Sequence, residues 1–521
     1  MFKQRVEFIL HNAALPEGIS ETVAHLVSPI FCSQTYTLIV RSFLFALCLS
    51  ACAQTLPTLG HIDFPTSAAN PQAQQHFIQG VLLLHSFEYA DAREEFQRAS
   101  AIEPKFAMAY WGEALTFTHP VWVQQDAASA HAALAKLAPT PEARAVFAPT
   151  QREKDYLQTV EILYGQGDKI SRDIAYADAM HHLMQKYPDD LEAASLYAVA
   201  LLGTCQGERN YATYMRAAAV AEEVFAKNPQ HPGAIHYLIH AYDDPVHAPL
   251  GLRAARIYGQ VAGSASHAQH MPSHIFFALG MWDEAISANI ASIAVADDRI
   301  KRKGLTSADR NYHSLLWLEY AYLQEGRVNE ARQVLSGIDR PAELKHMRAI
   351  YAIETGECDK APTNIDTSSG DSLANISVLN VKGLIALAHG KIEEARSSAE
   401  EARKLLSARD APSHGAMPMA KPQVSTDQRL KQLMVGQLDA AILFADGKTS
   451  DALQTLSRLS SEEDSLTFEF GPPTPLKPTH ELYADLLLKA GKPQEARVQF
   501  QKALERAPQR RLSLAGLAKC Q

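Results

Sequence analysis

Histidine is the side chain most able to hold a transition metal or pass a proton near neutral pH, because its neutral ring offers a nitrogen lone pair there. The chain has 21 histidines, and eight of them crowd into the stretch 231–313. His236 and His240 stand four residues apart, so a helix projects both from one face, one turn apart. His270 and His274 repeat that pair at an offset of 34 residues, and His267 and His313 lie nearby in sequence. Asp243 and Asp244 follow the first pair, with His247 just beyond them. Imidazole and carboxylate donors suit zinc, copper, iron or nickel, and without a thiolate their softness does not separate these metals. An ion with an open coordination position would activate water or oxygen, which makes a hydrolase or an oxidase. The spacing is not H-E-x-x-H: Tyr237, Leu238 and Ile239 fill the gap and supply no general base, so a metalloprotease reading fails. Asp243, Asp244 or His247 could serve as base or as outer support for a ligand, and the order of residues does not choose among them. Two metal-free readings stay open: a polar groove for a ligand, and histidines that bond one another.

An offset of 34 residues needs a structural repeat of that length to carry it. Gly491, Ala496, Phe500, Ala503 and Pro508, with Ala484 before them, resemble the tetratricopeptide pattern at positions 15, 20, 24, 27, 32 and 8. A second unit begins at Ala73, with Gly80, Ala92, Phe96, Ala99 and Pro104 in matching places. Small residues at 8 and 20 let two helix axes approach closely, and the glycine at 15 reverses the chain. Gly280 with Ala285, Gly326 with Ala331, Gly390 with Ala395 and Gly447 with Ala452 repeat the same five-residue step. The expectation is an all-α solenoid of tetratricopeptide-repeat (TPR) type, with about ten helix-turn-helix units that bury one core by stacking. It runs continuously over 71–521, follows an extended linker at 54–70, and carries loop inserts near 138–152, 205–211, 299–311, 362–375, 408–426 and 462–478.

Pro229 at position 32 starts one unit at Pro232, and Gly280 with Ala285 starts the next at Ser266. Both histidine pairs then fall at positions 5 and 9, His267 falls at position 2, and so does His313 in a unit starting at Tyr312. The TPR resemblance implies that positions 2, 5, 9 and 12 line the concave groove. Six imidazoles should therefore face one hollow across three neighbouring helices, extended by Asp243 and Asp244. His85 and His119, also 34 apart, fall at position 13 of the first two units, and Trp111 and Met108 at positions 5 and 2 suit peptide or ligand contact unless they are core. Glu481 and Asp485, at positions 5 and 9 of the last unit, are placed to receive a cationic ligand or simply to be solvated. There is no Ser-His-Asp order, P-loop or dinucleotide fingerprint.

Hydrophobic residues at 47% and charged residues at 21% describe a folded chain. A net charge of -9 and a pI near 6.2 give no basic field for phosphate backbones, so nucleic acid is not an expected partner. Arg41 precedes the apolar run 42–51, which has signal-peptide length and is too short to span a bilayer. It ends in Leu49-Ser50-Ala51-Cys52, which resembles a bacterial lipobox, while Ala51-Cys52-Ala53 also fits a cleavage site that frees the protein. Residues 1–53 read as a leader, and Glu7, Glu17 and Glu21 place its true start near Val40. The expected location is the periplasm or a membrane, reached only through a lipid anchor on Cys52. Cys205, Cys358 and Cys520 are too scattered for a disulfide framework or a thiolate metal site.

The runs His236-Tyr-Leu-Ile-His240-Ala-Tyr-Asp243-Asp244 and His270-Met-Pro-Ser-His274-Ile-Phe, with Phe470-Gly-Pro-Pro near the end, resemble a group of bacterial exported TPR proteins. That resemblance spans nearly all of 70–521; it implies the fold and the location but supplies no reaction. The expected function is an exported scaffold that binds a peptide, protein or small ligand in a groove with a His-lined site. The alternative is a metal-binding protein or a metal-dependent hydrolase or oxidase.

Overall fold

The computed structural model describes residues 58–205, 209–357, 371–407, 425–468 and 471–520. The leader 1–53 with its Cys52, and Phe470 of the C-terminal motif, lie outside the described residues. Among the described residues, successive helices pair and stack as an α-solenoid of TPR type, as the repeat pattern requires. The steric logic is direct at the first unit, Pro71–His85 with Tyr89–Ile102. A Cβ at Gly80 would meet the Phe96 ring at 2.7 Å, so the position-8 glycine is what lets the position-24 phenyl fill the seam. Turn glycines such as Gly280 and Gly491 adopt left-handed backbone, with φ of 67° and 75°. The one sheet among the described residues is a two-residue antiparallel pairing, Thr118 with Gln125 and His119 with Gln124. No described helix is long and apolar enough to cross a membrane.

Residues 58–70 contain no helix, but they do not hang free as a linker would. Phe64 is 1% exposed, with its ring centroid 5.1 Å from Phe77, 5.8 Å from Trp111 and 5.0 Å from Tyr156, and the Arg152 guanidinium 4.6 Å above it. The Ser67 amide and hydroxyl donate to Glu153 at 2.7 and 2.8 Å. Phe77 and Trp111 both stand at repeat position 5, so the chain's own segment occupies the inner face expected to receive a ligand. Trp111 is thus core, as is Met108.

Distant repeats also meet. Arg299 and Lys303 donate to Asp91 at 3.0 and 2.8 Å, tying the first unit to the helix Trp282–Lys303. That helix runs through residues expected to begin a loop insert, which shortens the insert to 304–311. At the other end, Arg510 reaches Glu481, Glu354 and the Tyr320 hydroxyl at 2.8, 2.6 and 2.8 Å, and Trp282 donates to the Gln509 carbonyl at 3.2 Å. The middle repeats are therefore covered from both ends of the array. Glu481 is fully buried against Arg510 and Lys477, and Asp485 pairs with Lys477 at 2.7 Å. The cation these carboxylates receive is the chain's own.

Candidate functional site

Pro232 opens the helix Pro232–Ala241, and His231 caps it by accepting from the Ala234 amide at 3.2 Å. His236 and His240 project from one side of this helix, as their spacing requires. The next first helix is broken. Pro272 lacks the N–H that would bond back one turn, so the chain forms Ser266–His270 and Pro272–Leu279 with Met271 at the joint. His313 comes from the helix Tyr312–Gln324.

The six histidines assemble as two adjoining trios instead of lining one open hollow. In the first, His236, His240 and His267 each bring a ring nitrogen within 4.8 Å of the others; in the second, His270, His274 and His313 do the same. Each trio joins positions 5 and 9 of one repeat to position 2 of the next. The second trio is therefore the first one repeated, with the insert before His313 lengthening the last step from 34 to 46 residues. Ring centroids across the boundary lie 6.0 Å apart for His240 and His274, and 6.2 Å for His267 and His270. His236, His240, His270 and His274 are buried, which closes this section to a peptide.

Hydrogen bonds on the far side of the rings fix their tautomers. The His236 Nδ1–H donates to the carbonyl of His85 at 2.6 Å, and the His274 Nδ1–H donates to Asp243 Oδ2 at 2.6 Å. Asn289 gives its amide hydrogen to the Ala285 carbonyl at 2.8 Å, so its oxygen accepts the His270 Nδ1–H at 2.7 Å. A proton on Nδ1 leaves a lone pair on Nε2. The Nε2 atoms of His236, His240 and His267 are buried with no hydrogen-bond partner. Those of His270 and His274 face each other at 3.1 Å. Nitrogens each bound about 2.0–2.1 Å from one tetrahedral ion sit roughly 3.3 Å apart, close to that spacing.

Burial, then the neighbouring imidazoles, holds His236, His240, His267 and His270 well below the usual histidine range. His313 shows one edge to solvent while its other edge sits among His270, His274 and Trp317, and this enclosure, then the neighbouring imidazole of His274, pulls it down to about 4. These five rings are neutral at neutral pH, the form that binds a metal.

Aromatic rings wall both trios. Trp317 lies 4.4 Å from His274 and 4.9 Å from His270, and Tyr258 lies 5.4 Å from His236. Gly471 of the C-terminal motif seats on the Trp317 indole, where a Cβ would come within 2.7 Å. Phe87 packs 4.2 Å from His236, with φ of 56°. It occupies position 15 of the first unit, where other units have glycine, and a left-handed non-glycine residue costs roughly 1–2 kcal/mol. A pocket of about 840 Å³, its open mouth included, reaches His274 and Asp243 between Phe277, Trp282, Tyr320 and Arg506.

The remaining candidates separate from this centre. Asp244 accepts from the Val246 and His247 amides at 2.9 and 3.0 Å and from His247 Nδ1 at 2.8 Å, and lies 3.4 Å from Arg209, so it anchors a loop. His119 is stacked on Tyr89 at 3.9 Å, away from His85 despite their common offset. His85 forms a third buried cluster with Glu192 and His231. There Glu192 takes a bond from His85 Nε2 at 2.7 Å and lies 3.0 Å from His231 Nε2, which meets the Ser195 hydroxyl at 3.2 Å, while His85 Nδ1 meets the Tyr237 hydroxyl at 2.8 Å and His231 Nδ1 is used in capping. Burial alone would raise the Glu192 carboxyl, but the two imidazoles hold it well below the carboxylate range. Every ring nitrogen in that cluster is engaged, so it is a structural network. Asn289 and Phe87 were legible but missed: a polar residue at position 24 and a phenyl at the turn-glycine position both break the repeat pattern where the site lies.

No protein-family model and no curated protein matches this chain. Among solved structures, the APC/C hetero-tetramer Cut9-Hcn1 is similar at 13% identity and TM-score 0.35, covering 92% of this chain and 81% of that one. Human IFIT1 in a dimer with m7Gppp-AAAA is similar at 12% identity and TM-score 0.36, covering 84% and 91%, and yeast Tom70 at 10% and 0.30, covering 87% and 88%. With scores this low, the architecture rests on the helix pairs described above.

Proposed function

We propose that this chain is a binuclear transition-metal protein, with one ion held by His236, His240 and His267 and a second by His270, His274 and His313. The observation that carries this reading is the convergence of three buried Nε2 atoms with no hydrogen-bond partner in the first trio, and the repetition of the same three-histidine geometry in the second. An unsatisfied buried acceptor costs about 1–3 kcal/mol, and a cation removes that cost for three rings at once. Asp243, Asn289 and the His85 carbonyl orient the ligands, as outer partners do at metal sites. The solenoid also offers protein-binding surface, so a protein or peptide partner outside the buried centre is compatible with ions inside it. Export, with or without lipid on Cys52, belongs to the same proposal.

Metal analysis of the purified mature protein tests it. Two ions per chain are expected, one in His236→Ala and one in His270→Ala, and none when both are replaced. Wild-type protein that carries no ion after exposure to zinc, copper, iron and nickel would refute the reading.

A further inference from the structure

Resting on the two-ion reading, we infer that the two trios form one coupled copper pair whose ligand is dioxygen. Six imidazole nitrogens and no carboxylate make the donor set. A hydrolytic pair needs a group to take a proton from bound water, and the carboxylates beside the trios are already committed, Asp243 to His274 Nδ1 at 2.6 Å and Glu88 to the His267 amide at 3.0 Å. An all-imidazole set suits copper, which also binds most tightly among the first-row divalent ions.

Three protein donors per ion leave coordination positions open on both. The trios adjoin with ring centroids 6.0 and 6.2 Å apart, so one small molecule can touch both ions. The surroundings, Phe87, Tyr258 and Trp317, are aromatic and favour a small neutral ligand over a charged one. His313 presents its edge to solvent, and the pocket beside His274 offers a second approach.

The electron balance closes within the pair. Two cuprous ions each give one electron to dioxygen; the oxygen–oxygen double bond becomes a single bond, two copper–oxygen bonds form, and no proton is required. Loss of dioxygen returns both electrons.

The experiment loads the metal-free full mature chain with two equivalents of cuprous ion under argon, then admits dioxygen. The expected result is an intense near-ultraviolet charge-transfer band that fades under vacuum, with no electron paramagnetic resonance signal because the two cupric spins couple. His313→Ala, a change at an exposed ring that spares the core, should abolish the band and give an isolated cupric signal. Two bound coppers that oxidise without the band and show two uncoupled cupric signals would overturn the inference and leave the two-ion reading standing. So would two zinc ions that copper does not displace. Absence of any bound ion would overturn both.

Discussion

Replacing Asp243 by Asn leaves the shape of the second trio intact and removes the charge behind it. Asp243 is 3% exposed and accepts the His274 Nδ1–H at 2.6 Å. That bond holds the imidazole in the tautomer whose Nε2 faces the trio and raises its basicity toward an ion. A hydrogen bond to a charged group contributes about 1.5–3 kcal/mol. At about 1.4 kcal/mol per tenfold change in affinity, its loss weakens the ion in the second trio by roughly 10- to 100-fold. That range agrees with the general effect of removing an outer partner from a metal ligand. Asparagine can still accept through its own oxygen, so Asp243→Asn belongs near the lower end and Asp243→Ala near the upper. The assay is competition with a chelator of known affinity, following release of the two ions as separate phases. The phase assigned to the second trio, identified by its loss in His270→Ala, should shift, while that of His236, His240 and His267 stays in place. Thermal melts of the metal-free proteins separate a general loss of fold from a local loss of affinity. Equal weakening of both phases, or no shift in either, would refute the assignment of Asp243 as the residue that positions His274.

Two further outcomes follow from the same geometry. The buried rings of His236, His240, His267 and His270 have folded-state values well below 6.5, and His313 sits at about 4. The unfolded chain therefore binds more protons as pH falls through the unfolded value, so metal-free stability should be constant above about pH 7 and fall toward pH 4 by about 1.4 kcal/mol per unit for each ring that stays neutral. Urea midpoints at pH 7.5, 6 and 5 check this, and a flat series would contradict it. Phe64→Ala should cost up to about 3–5 kcal/mol of local stability, the usual range for emptying a buried phenyl site. Release of the segment 58–70 should appear as faster amide exchange there and a red-shifted Trp111 emission, and unchanged exchange would mean that the segment is held by other contacts.

The sequence by itself determined the helical repeat, its phase, and the fact that His236 with His240 and His270 with His274 share equivalent faces. These follow from a period of 3.6 residues and a unit of 34, both of which are local and written along the chain. Only the tertiary structure decided that the six rings divide into two trios, because the third member of each comes from the following repeat. It alone also decided which nitrogen of a ring faces inward. For His236 that choice is made by a carbonyl 151 residues earlier in the chain, and for His274 by a carboxylate 31 residues earlier. The inner face is covered for the same reason: Phe64 from the segment before the array packs on the first repeats, while Phe87 from the first turn and Arg510 from the last repeat reach the middle ones, through contacts that no local period encodes.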